Sequence, residues 1–133
     1  VNASVIKPLA RPDTTAKGQP LRFDYANAEN IEGAKALGGA IFAADVDVTH
    51  PLGFGFSERS VSVYRNGKTF LQPSATPYNT VVQYTAQPKI GGYVAKDNLR
   101  RVARSAAVLV GPEGAGRVVL FADNPNFRAF WWG

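Results

Sequence analysis

The period of apolar positions changes several times along the chain. Residues 1–22 carry Pro8, Pro12 and Pro20 among Lys, Thr and Ala. Proline removes backbone donors and pushes its predecessor toward extended geometry, so this stretch reads as an arm or linker. Residues 26–37 place Ile31, Ala34 and Leu37 at helical spacing, and Gly38-Gly39 would stop that helix. Gly33 inside it weakens the helix.

Ala40–Val48 begins apolar on both faces and then alternates, which predicts a strand. His50–Phe56, punctuated by Pro51, Gly53 and Gly55, is a loop. Ser60–Arg65 alternates as a strand. Asn66-Gly67 then signals a hairpin, returning along Lys68–Leu71, because the central positions of such a turn need positive φ. After a loop over 72–79, Thr80–Thr85 is a short strand.

The last third is more regular. Lys96–Arg104 is an amphipathic helix with Leu99, Val102 and Ala103 on one side. Ala106–Val110 and Arg117–Ala122 are continuous apolar strands around the Gly111–Gly116 turn, a pattern that suits strands buried under helices. Asp123-Asn124-Pro125 reads as a helix start, with Phe127, Phe130 and Trp131 on the buried face. Mixed strands and helices favour an α/β or α+β sandwich over an all-β fold.

Composition narrows the chemistry. At 133 residues with 45% hydrophobic and 19% charged positions, the chain is one globular domain's worth of sequence. Cys is absent, which excludes disulfides, thiolate metal sites and a cysteine nucleophile. A single His excludes any mechanism that needs two imidazoles. Met is also absent, so the chain is expected to have been processed or cut from something longer. No apolar run is long enough for a membrane span. The net charge of +5 invites a nucleic-acid reading, but only Lys96, Arg100, Arg101 and Arg104 cluster. Without interleaved aromatics they read as a solvated helix face, and no nucleic-acid partner is expected.

The candidate groups each have a chemical and a structural reading. His50, at a strand end, is a candidate base or ligand, but it lacks a spaced partner and reads as a backbone-bonded turn residue. Asp45 and Asp47 share one face of a strand and read as solvent-facing. The Gly111–Gly116 loop lacks the Lys-Ser/Thr of a phosphate loop and precedes a strand, so it reads as a hairpin turn. Arg128, among four aromatics, either stacks or pairs with an anion or is bonded to Asp123. No catalytic or metal-ligating set emerges. His50, Asp123 and Arg128 are the candidate ligand-binding or structural residues. Because ligands of α/β sheets sit at strand ends, a small-ligand binding module is the alternative function.

Gly116–Trp131 resembles the C-terminal signature of bacterial secreted zinc carboxypeptidases, in which a class I glutamine amidotransferase-like domain follows the peptidase. Gly39–Phe42 with Asp47–Gly55 is similar to that family's strand and "THPL-x-x-G" loop, and Gly91–Val94 to its "SGY-I" segment. The resemblance implies a three-layer, flavodoxin-like α/β sandwich over 23–133, possibly a partial domain with an antiparallel hairpin and a sheet completed elsewhere in the parent. It implies a periplasmic or extracellular location and the parent's peptidase domain as partner. Zinc would be held in that peptidase domain, with no cofactor in this chain. Amidotransferase chemistry needs a cysteine, so the fold is expected without its activity.

Overall fold

The structure, a computed structural model, describes residues 24–125. The expected arm over 1–22 and the expected helix after Asp123 with Phe127, Arg128, Phe130 and Trp131 lie outside the described residues.

A 3-10 turn over Tyr25–Asn27 leads into α1 (Ala28–Gly33). Then follow β1 (Leu37–Val46), β2 (Ser60–Gly67), β3 (Thr80–Gly91), α2 (Lys96–Val102), β4 (Ala106–Glu113) and β5 (Gly116–Phe121). The strands form one curled sheet in the order β2-β1-β3-β4-β5, and each neighbouring pair is antiparallel. The fold is thus mixed α/β. A three-layer flavodoxin-like sandwich, whose sheet is mostly parallel, is not seen among the described residues.

Alternation selects the core face. Ala40, Phe42, Ala44 and Val46 of β1 are buried, whereas Asp45 between them is exposed. Phe42 pairs with Val63 of β2, and Ala44 with Val61 and with Tyr84 of β3. Directly paired residues share a face, so these side chains converge. The β1–β3 register shifts between Phe42↔Lys89 and Ala44↔Tyr84, which displaces Thr85–Pro88 from the ladder. Such irregularities bend a strand and increase its twist, which helps explain the curl.

The structure corrects several expectations. The helix over 26–37 ends at Gly33, and Leu37–Gly39 belong to β1, where Leu37 opposes Gly67 and is buried. Asn66-Gly67 does not make a tight hairpin with Lys68–Leu71. It closes β2, whose partner is β1, and residues 68–71 instead carry Phe70 and Leu71 into the core. The inward positions of β2 match the apolar register of β1, which specifies this pairing. β3 runs on to Gly91, beyond the expected end at Thr85. The β4–β5 hairpin forms, its strands extending into the expected turn until Glu113 opposes Gly116. β5, however, is an edge strand and is largely exposed, so its apolar run does not mark burial on both faces.

α2 covers part of the core face. Val102 joins Phe42, Phe70, Tyr84 and Val94 in the main cluster, with Leu99 packed against it. The buried Asn98 amide donates to the Gly33 and Ala36 carbonyls, tying α2 to the segment that leaves α1. At the β3–α2 connection, Gly92 has φ +87, and a Cβ there would lie 2.9 Å from the Ala40 Cα. Only glycine accommodates both that conformation and that approach.

Candidate functional site

The two features with potential chemistry adjoin each other on the core face. One is a buried polar cluster built from β2, β3 and the exit of β5. Arg65 ends the run of β2 residues that face inward and is only 1% exposed. Its Nη1 donates to the Tyr84 hydroxyl at 3.2 Å, and its Nη2 donates to the Thr69 carbonyl. The Tyr84 hydroxyl in turn donates to Asp123 Oδ2. Asp123 Oδ1 stands 3.6 Å from Arg65 Nη1, with the Asp123 side chain 8% exposed. The guanidinium carbon of Arg65 also lies 4.8 Å from the Phe70 ring centre, and that of Arg101 lies 4.0 Å from the same centre.

Burial biases the ionisation of Asp123 and of Tyr84. Burial raises the Asp123 pKa, while the Arg65 charge and the Tyr84 hydroxyl bond oppose the rise. Burial and then the Asp123 charge push the Tyr84 phenol up, against the opposing pull of Arg65. Tyr84 therefore holds its proton throughout the neutral range and serves as a donor, not as a base. A buried ion pair of this kind specifies geometry more than it adds stability, because desolvation offsets much of the attraction.

The second feature is an apolar cavity of about 540 Å³. Its floor is Val46, Val61, Val63, Val82 and Val108, and Phe121 closes one side. Leu52, Phe54 and Phe56 overhang from the β1–β2 connection, while Asp123, Asn124 and Pro125 form the wall where the chain leaves β5. The overhang has a fixed base. His50 Nδ1 accepts the Leu52 amide at 3.1 Å, and the Gly53 amide donates to the His50 carbonyl at 2.8 Å. A Cβ on Gly53 would lie 2.3 Å from the Asp47 carbonyl oxygen, so this turn requires glycine.

These positions sort the candidates. His50 is a turn residue bonded to backbone, in line with its structural reading. Asp123 reaches the cavity wall, but its carboxylate turns into the core toward Tyr84 and Arg65. Asp45 is ion-paired with Arg59 at 2.7 Å. Asp47 instead accepts from the Thr49 amide and hydroxyl, which lower its pKa. The aspartates thus do not act as a pair. Of the basic cluster, Arg100 is exposed and pairs with Asp97. Arg101 departs from the solvated-face reading: it lies on Phe70 and donates to Asn98 Oδ1.

Arg65 and Tyr84 were not singled out by sequence reasoning. A lone Arg at an inward position of an alternating strand was the available signal. Among the described residues no group of three or more His, Asp or Glu side chains comes together to hold a metal, and no helix is long and apolar enough to cross a membrane. His50, the one imidazole of the chain, has its Nδ1 engaged by the turn. No family model, curated protein or solved structure matches the chain. The class defined by fold and site is a mixed α/β unit with a curled antiparallel sheet and an apolar cavity on its core face.

Proposed function

We propose that this chain is a non-catalytic accessory module of a secreted zinc carboxypeptidase, acting in the periplasm or outside the cell. In this reading the zinc and the hydrolytic chemistry belong to the parent's peptidase domain. The module packs on that domain, and a three-layer sandwich is completed by other parts of the parent. The motif resemblance motivates the reading.

The observation that carries it is the apolar overhang. The Thr49–Gly55 motif builds a turn, bonded through His50, that presents Leu52 and Phe54 at the cavity. Phe54 is 94% exposed, with Leu52 and Phe56 about half exposed beside it. A single exposed Phe is ordinary, but a group of three exposed apolar side chains is the kind of surface that protein partners cover. Asp123 weakens the small-ligand alternative, since its carboxylate is already engaged by Tyr84 and Arg65.

The test mixes the chain with a zinc carboxypeptidase catalytic domain and measures association by calorimetry. Phe54→Asp should leave the thermal midpoint of the chain alone unchanged and weaken association at least tenfold. Unchanged association would overturn the reading. So would hydrolysis of a C-terminal peptide by the chain alone with added zinc, above a buffer blank.

A further inference from the structure

We propose that β5 is a self-association edge: two copies of this chain pair β5 against β5, antiparallel, about a two-fold axis at Val119, and join their sheets into one. This inference is independent of the partner of the Phe54 surface.

The edge is open and regular. β5 ends the sheet, with no described strand beyond it. Native edge strands are commonly blunted by Pro, Lys or a bulge. β5 contains neither Pro nor Lys, and its pairing with β4 is the one strand pairing among the described residues without a register shift. The opposite edge differs: β2 places Ser60, Ser62 and Asn66 on its exposed positions, and its register with β1 shifts. Asp123, Asn124 and Pro125 turn to the cavity wall, so the described chain leaves β5 toward the core face and not along the edge.

The hydrogen-bond phase shows which groups face outward. The Ala122 amide donates to the Ala107 carbonyl at 2.9 Å. Bonded and non-bonded pairs alternate along an antiparallel ladder. In the unbroken register, the bonded pairs are then Leu109↔Leu120, Gly111↔Val118 and Glu113↔Gly116. The backbone N–H and C=O groups of Arg117, Val119 and Phe121 therefore point to the open edge.

That set of groups is self-complementary, which selects a second copy as the occupant. With Val119 opposite the partner's Val119, Arg117 falls opposite the partner's Phe121. Each such pair can exchange both of its backbone hydrogen bonds. Side chains agree: Arg117 meets an aromatic ring, and Val118 meets the partner's Leu120. The two Arg117 side chains stand roughly 13 Å apart along the ladder, beyond the screening length of about 8 Å at physiological salt. Sliding by two residues keeps the phase but loses a pair. One way sets Phe121 against Ala115 in the hairpin turn; the other sets Arg117 against Asp123, whose side chain is held in the core.

Sedimentation equilibrium of the full chain tests this. The mass should rise with concentration from one chain to two and stop there, because a two-fold contact closes. Val119→Pro removes the amide on the axis at an edge position where proline is tolerated. It should raise the dimer dissociation constant at least tenfold with the far-UV dichroism retained. Should that variant unfold, Val119→Lys decides, since it sets like charges directly opposite each other on the axis and should weaken the dimer as much. A monomer at about 1 mM protein, the weak limit of ordinary affinities, would overturn the proposal. So would a mass climbing past two chains, or a dimer equally tight in a folded Val119 variant. Phe54→Asp should leave the dimer unchanged, so this proposal and the peptidase contact fail separately; a dimer lost with Phe54→Asp would place the contact at the overhang and overturn the β5 pairing.

Discussion

The two halves of the core face are built from the same kind of strand residue but are covered differently. On one half, Phe42, Ala44 and Tyr84 are sealed by Phe70 and by Val94 and Val102, which flank and end α2. Phe42 meets Tyr84 edge to face at 5.9 Å. On the other half, Val46, Val61, Val63, Val82 and Val108 face a cavity. The polar cluster lies between them and joins the sealed half to the exit of β5 through Asp123. One face of a sheet can therefore combine finished packing with a receptive surface, and what decides between them is whether a later segment returns across it.

The largest effects should separate the halves. Phe42→Ala removes a fully buried ring and should cost about 3–5 kcal/mol, read from urea midpoints. Arg65→Met should approach that figure, since breaking a buried pair from one side costs about 3–5 kcal/mol. The loss has a specific cause: Asp123 is left in the core without its counter-charge. Asp123→Asn placed in the Arg65→Met background should recover part of it, because the stranded charge is then gone. Strictly additive losses would mean that the ion pair does not couple the two positions.

The sheet was legible where periodicity and burial agree. β1 and the β4–β5 hairpin follow from apolar runs and a glycine-rich turn, and Leu99 and Val102 lie on the expected side of α2. The partner of β2 was not legible. Asn66-Gly67 carries a local turn signal, whereas the pairing with β1 depends on contacts distant in sequence. The exposure of β5 was also hidden, because an apolar run does not say which strand ends up at an edge. At the candidate site, the backbone role of His50 could be anticipated from its turn. The joining of Arg65, Tyr84 and Asp123 could not, since three separate strands or strand ends must meet to form it.

A pH series sharpens the junction between the halves with a smaller effect. The folded-state pKa of Asp123 is raised above 3.8 by burial. The native protein therefore holds this proton at pH values where the unfolded chain has released it. The sign follows from linkage: Asp123 removes stability as pH rises through the window from about 3.8 to its raised value. Asp123→Asn, which stays neutral, should flatten that fall in urea midpoints collected across the window. A slope unchanged by the substitution would mean that Asp123 titrates at the same pH in both states.

The smallest effect discriminates most finely, because it concerns the receptive half itself. Val61 is half-buried on the cavity floor, so Val61→Ala deletes methyl groups that already border a void among the described residues. If the floor stays open, little new cavity forms, and the cost should stay below about 1 kcal/mol, well under a full burial loss. A cost above about 2 kcal/mol would mean instead that Val61 already has a full set of contacts to lose, and the two halves of the face would then be alike in covering.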